Sequence, residues 1–184
     1  MGDVTSLRGH LLIASATLLD PNFRRTVVLI GEHNEEGAMG VVLNRPSEIE
    51  VAAAVPQLAG LAGEGALVYL GGPVQPEAVV ALAEHDDPAD AGAIAFGDVG
   101  FIPPDVDADV LAGAVRRVRV FAGYAGWGAG QLEAELEAEA WIVEPAEPDD
   151  VFTDAPEQLW SGVLERKGGQ YALLARMPLD PSMN

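Results

Sequence analysis

The sequence predicts a single domain of mixed α and β class (α+β or mixed α/β), with a hairpin-containing mixed β-sheet core flanked by helices. Three observations predict it. Short apolar or β-branched runs alternate with short helical patterns along the chain. Two of those runs flank a polar, glycine-bearing turn, so a hairpin is expected and a purely parallel sheet is not. Hydrophobic residues make up 49% of the 184, enough for one sizeable core in a chain of this length.

In chain order, residues 10–14 (HLLIA) and 26–31 (TVVLIG) read as strands buried on both faces. The polar turn at Glu35-Glu36-Gly37 reads as longer than the tight two-residue type. It leads to a strand over 38–44 (AMGVVLN) that ends at Arg45-Pro46-Ser47, because proline cannot donate to a strand ladder. Residues 49–61 are alanine-rich and weakly helical, and 66–70 (ALVYL) form a strand stopped by Gly71-Gly72-Pro73. Further strands are expected over 78–82 and 93–96, with Glu84-His85-Asp86-Asp87-Pro88 as a solvated loop between them and 101–104 closing the middle section.

A helix over 107–115 has Asp105 or Asp107 as its cap and Arg116-Arg117 near its negative end. The strand over 118–122 (VRVFA) runs into a glycine-rich turn at 123–130, followed by a helix over 131–140 and a strand over 141–143. Residues 144–150 (EPAEPDD) read as a surface loop. In the last helix Asp154 and Glu157 have capping-box spacing and Pro156 sits in the first turn. Leu159, Trp160, Val163 and Leu164 make one apolar face, and Arg166-Lys167 and Gly168 mark the end.

Composition excludes several functions. With 29 acidic and 10 basic side chains the formal charge is −19, which opposes nucleic-acid binding, since nonspecific affinity comes from neutralising phosphates with Lys and Arg. There is no cysteine, hence no disulfide, thiolate nucleophile or iron–sulfur cluster. The polar N-terminus, residues 1–8, lacks a signal-peptide layout, and no apolar run approaches the roughly 18 residues that cross a bilayer, so a cytoplasmic location is expected.

The glycine-rich segment is the most distinctive chemistry-bearing feature. Strand, glycines and helix in sequence is the arrangement by which backbone amides hold phosphate. The spacing is not G-x-G-x-x-G, however, and Glu133 and Glu135 already complement the helix N-terminus. Glycines that let the backbone pass close beneath Tyr124 and Trp127 are the plainer account. The helix that follows carries Glu133, Glu135, Glu137 and Glu139, two like-charged i,i+4 pairs. That face is either solvated or met by arginines from the groups Arg24-Arg25 and Arg116-Arg117-Arg119. His10, His33 and His85 are scattered without metal-ligand spacing, so no metal or cofactor is expected, and solvated or hydrogen-bonded roles suit His33 and His85. None of the serines has a G-x-S-x-G context.

Several strings, read together and in order, carry a resemblance. They are residues 9–14 (GHLLIA), 19–28 (LDPNFRRTVV), Glu32-His33-Asn34, Gly37-Ala38-Met39-Gly40 and Leu43-Asn44-Arg45-Pro46. Gly71-Gly72-Pro73-Val74, Gly123-Tyr124-Ala125-Gly126-Trp127, Gly130-Gln131-Leu132-Glu133 and Trp141 follow. In this order they resemble the YqgE/AlgH family of bacterial proteins over about residues 7–168. The segment 78–85 departs from the family pattern, and residues 169–184 are not distinctive. The resemblance implies one domain, residues 1–184, with a β-sheet core flanked by helices. It brings no established biochemical activity, only a name that suggests a role in regulating alginate genes.

A ligand site is expected where these strings place polar or flexible residues at strand ends: Asn44, Arg45, Gly71, Gly72, Gly123, Tyr124, Gly126 and Trp127. Structural roles compete there, with Asp20 and Arg25 fixing their own turn and Arg45 serving as a loop partner. The first functional expectation is a noncatalytic regulatory or binding protein. It would act through a protein partner or small anionic ligand, motivated by the acidic helix and exposed-looking aromatics such as Trp127. An enzyme acting on an anionic small molecule, a hydrolase or transferase with Arg45 and glycine amides as its cradle, is the alternative. It lacks a paired nucleophile and base. Direct DNA regulation ranks last.

Overall fold

The computed structural model describes residues 5–18, 20–103 and 105–176. The first three strands, β1 (His10–Ala14), β2 (Val27–Asn34) and β3 (Gly37–Val42), form an antiparallel meander. Asn34 pairs with Gly37, so the β2–β3 turn is the tight two-residue kind after all. The Asn34 side chain closes it by accepting the Glu36 N–H at 2.8 Å. Pro46 does not end the strand region but opens β4 (Pro46–Glu50), a position where no ladder N–H is needed. The weakly helical stretch resolves into α1 (Val51–Ala54), a 3-10 turn and α2 (Ala59–Ala62), followed by β5 (Leu67–Leu70).

Next come β6 (Val74–His85), β7 (Ala93–Phe96), β8 (Val99–Phe101) and α3 (Ala108–Ala112), the last capped by the Asp107 carboxylate. Because α3 ends at Ala112, Arg116 and Arg117 lie not at a helix end but in β9 (Val115–Gly128). The expected glycine-rich turn is therefore strand as far as Gly128. Then follow α4 (Gln131–Glu137), shorter than expected, and β10 (Trp141–Pro145). The expected surface loop at 144–150 holds α5 (Pro148–Val151), and the capping box is here, between Glu147 and Asp150, rather than at Asp154 and Glu157. The Asp150 carboxylate is buried and meets Arg166 of α6 (Leu159–Lys167) through two bonds of 2.9 Å. Finally, α7 (Gln170–Leu174) packs on α6; residues 177–184 of the undistinctive tail lie outside the described residues.

The strands join in the order β10-β1-β2-β3-β9-β6-β8-β7, with β5 beside β9 and β4 beside β5. All pairings are antiparallel except β5 with β9. Alternation sorts side chains onto two faces. One face carries Leu11, Ile13, Leu29, Leu82 and Phe121 and is covered by α5 and α6, whose Leu159, Trp160, Val163 and Leu164 are all buried as the helical pattern requires. Full burial of each such side chain is worth about 1.5–3 kcal/mol. The other face has two separate covers. Leu132 of α4 sits over Leu12, Val28 and Val42, while α1 and α2 sit over Val68, Ala83, Val118 and Val120.

His85 corrects the solvated-loop expectation most sharply. It closes β6 opposite Val115, is 0% exposed, and neither ring nitrogen has a hydrogen-bond partner among the described residues. A buried unsatisfied polar group costs about 1–3 kcal/mol, so His85→Leu is expected to raise the urea midpoint, with a gain of about 1–2 kcal/mol. An unchanged or lowered midpoint would show that the imidazole is satisfied in solution.

Candidate functional site

The connection from β5 to β6 organises the region that the distinctive strings point to. β5 lies on one edge of β9 and β6 on the other, so residues 71–73 must carry the chain across β9 itself. Two strand spacings are about 10 Å, within reach of so short a link only if it passes directly over the backbone. It does. A Cβ added at Gly72 would lie 2.2 Å from the Tyr124 carbonyl carbon, and one at Gly123 would lie 2.5 Å from the Gly72 carbonyl oxygen. Gly123, at φ +76, also forms a bulge that shifts the alternation, so Phe121 and Tyr124 face the same core while Ala125 and Trp127 face the other.

Around this crossing the eight expected site residues separate. Arg45 and Gly72 line one concavity of about 210 Å³, together with Asn22, Leu70, Pro73 and Ala122. Gly71 adjoins it, donating its N–H to Ala122 and accepting that of Val42, both at 2.8 Å. Gly123 belongs to the crossing. Asn44 is a bracket between strands, its amide accepting the Val27 N–H at 3.0 Å and donating to the Arg25 carbonyl at 2.9 Å. Arg45 donates to the carbonyls of Asn22 at 2.6 Å and Arg24 at 3.0 Å, holding the 20–25 loop. Burial draws its pKa below the usual arginine value, and the Asp20 charge works against that shift. Asp20 itself accepts the Asn22 N–H at 2.8 Å, and Arg25 stacks on Trp160 at 4.3 Å.

Gly126 pairs with Met39 and Tyr124 is half-buried in the core, both away from the concavity. Trp127 is not the exposed aromatic its glycine neighbours suggest: it is 6% exposed, with Trp141 and Phe23 packed around it at ring separations of 6.2 and 6.3 Å.

The concavity lies at a seam. Val42 belongs to the cluster under α4 and Ala122 packs against the cluster under α1 and α2, so among the described residues the sheet face between them has no helical cover. Leu70 and Val79 both flank Ala122 in register there, and they are 48% and 53% exposed. No local sequence signal marks them, because strand alternation shows which face a residue takes but not which part of that face stays open.

Of the four glutamates at 133–139, Glu133 and Glu135 meet neither solvent alone nor arginines. Glu135 Oε1 accepts both indole N–H groups, from Trp127 at 3.0 Å and Trp141 at 2.8 Å, and Oε2 accepts the Gln131 amide at 3.0 Å. Glu133 lies 2.7 Å from Nε2 of buried His33, whose Nδ1 accepts the Leu7 N–H at 3.0 Å. Glu137 and Glu139 are exposed. The arginines of β9 turn elsewhere: Arg116 to Asp86 and Asp98, and Arg117 to Glu84 and Asp149. Among the described residues no group of three or more His, Asp or Glu is placed to hold a metal, and no helix is long and apolar enough to cross a membrane.

Comparison with known proteins places this architecture. A family model described as AlgH-like matches residues 11–172. A UPF0301 protein of Streptomyces coelicolor is 44% identical over 190 residues, covering 100% of this chain and 98% of its own length. Another, of Mycobacterium tuberculosis, is 44% identical over 181 residues, covering 96% and 90%. The crystal structure of a Corynebacterium diphtheriae protein superposes with TM-score 0.87 at 28% identity, over 95% of this chain and 94% of that one. The solution structure of AlgH from Pseudomonas aeruginosa gives TM-score 0.72 at 35% identity, over 97% of each chain.

Proposed function

The chain belongs to the AlgH-like family, and from that starting point we propose that it is a noncatalytic binding protein that docks a protein partner on the open seam of its sheet. The observation that carries this reading is the pair Leu70 and Val79, large aliphatic side chains about half exposed on either side of Ala122, next to a shallow concavity edged by Arg45. Apolar side chains at the centre of a polar surface supply most of the binding energy of a small interface. The overall charge of −19 steers a basic partner toward the molecule.

The same geometry favours docking over a hydrolase or transferase. Arg45, expected to cradle an anion with the amides of the 123–130 segment, donates to two carbonyls, and the Gly128 amide donates to the Gln131 side chain at 3.0 Å. Direct DNA recognition has the charge against it.

The test compares wild type with the double variant Leu70→Ser/Val79→Ser in quantitative affinity capture. Both positions are exposed, so the variant should melt close to wild type, within about 0.5 kcal/mol per site. A reproducible basic partner is expected to be retained by wild type, released as salt is raised, and lost from the double variant. An identical set of retained proteins on both would reject the seam as the docking surface.

A further inference from the structure

We propose that the cleft where β5 splays from β9 is a binding site for a small zwitterionic ligand of the free amino acid class, its carboxylate held by Arg119 and its ammonium by Asp154 and Glu64. The site is distinct from the seam and does not rest on the docking reading. Its origin is topological. β5 pairs with β9 only at Tyr69 with Phe121 and Leu70 with Ala122, while its other edge pairs with β4. No β5 residue pairs with Val118, Arg119 or Val120, and a cleft of about 280 Å³ opens there, also lined by Tyr69 and Thr153.

Charge gives the cleft its selectivity. The Arg119 guanidinium carbon sits over the buried Tyr69 ring, 4.4 Å from its centroid, and the group donates to the Thr153 carbonyl at 2.9 Å. No carboxylate lies within ion-pair distance of it among the described residues, whereas Arg116, Arg117 and Arg166 each meet two. Burial lowers its pKa, with Tyr69 and Asp154 opposing the shift. A half-buried cation held this way carries a desolvation cost that an incoming carboxylate would offset. The ring contact and the Thr153 bond hold the guanidinium in the cleft, and its fork is suited to two parallel hydrogen bonds with a carboxylate. Asp154 and Glu64 line the same cleft, are exposed, and have no ion-pair partner among the described residues. A simple anion entering past them is repelled. A molecule that presents a carboxylate inward and an ammonium outward satisfies all three groups, and the cleft's size suits a free amino acid.

The experiment is an amide NMR titration of the full ¹⁵N-labelled chain with glycine, L-alanine and L-lysine, and with propionate and methylammonium as singly charged probes, each up to roughly 10 mM. At least one amino acid is expected to move the signals of residues 65–69, 118–120 and 153–154 saturably, with both singly charged probes binding at least about tenfold more weakly. Arg119→Gln should abolish the effect. Should that variant unfold, Asp154→Asn and Glu64→Gln, at exposed positions, still decide the matter: together they should weaken amino acid binding about tenfold and leave propionate no weaker. Absence of saturable shifts in wild type, shifts confined to other residues, propionate binding as tightly as the amino acids, or indifference to Asp154→Asn/Glu64→Gln would each overturn the proposal.

Discussion

Glu135→Leu is expected to destabilise the protein by about 2–5 kcal/mol, the larger of the side-chain effects in this structure. One carboxylate oxygen accepts both indole N–H groups, and Trp127 and Trp141 are 6% and 5% exposed, so neither donor has ready access to water once the acceptor is gone. Each orphaned donor costs about 1–3 kcal/mol, and the pair lies in the cluster that fixes α4 to the sheet. Glu135→Gln keeps a carbonyl oxygen under both indoles and gives up the charge assistance and the exposed bond from the Gln131 amide, so a loss of about 1–2 kcal/mol is expected. Urea denaturation followed by tryptophan fluorescence reads both. A Leu variant no less stable than the Gln variant would mean that the indoles find other acceptors.

Gly72→Ala is the second, with an expected loss of about 3 kcal/mol or more and a fraction of chains that fail to fold. The added methyl carbon would sit 2.2 Å from the Tyr124 carbonyl carbon, 2.3 Å from its oxygen and 2.5 Å from the Ala125 nitrogen. These are backbone atoms, so no rotamer change relieves the overlap, and φ +152 adds strain for any L side chain. Relief requires lifting residues 71–73 off β9, which breaks the Gly71 bonds to Ala122 and Val42. Gly162→Ala is the matched control. A Cβ there meets nothing within 4 Å and the position is helical, so a gain of about 0.5–1 kcal/mol is expected in the same thermal or urea melt. Equal responses at the two glycines would refute the backbone crossing.

Local pattern carried much of the fold. The runs at β1, β2, β5, β7 and β10 and the apolar face of α6 sit where periodicity puts them, because each is a complete signal within four to nine residues. The misreadings share a cause. Glu84 and His85 look like loop because they are polar and precede Asp86-Asp87-Pro88, yet pairing with Arg117 and Val115 of β9 extends the strand through them. Residues 123–128 look like a turn because four of the eight residues from 123 to 130 are glycines, yet β3 and β6 supply partners that keep the segment extended. Of the candidate site, Arg45 and Gly72 line one concavity, whereas Asn44 and Trp127 serve the framework.

By itself the sequence determined the class of the fold, its strongly acidic surface, the absence of thiol chemistry, and the places where the backbone must run bare of side chains. Only the tertiary structure decided why it runs bare there, which carboxylate receives the two indoles, and which stretch of sheet is left open. Composition and periodicity are properties of neighbours in the chain. The crossing over β9, the indole–carboxylate contact and the uncovered seam each join segments that the chain brings together only when the sheet closes, and their free energy appears only at that point.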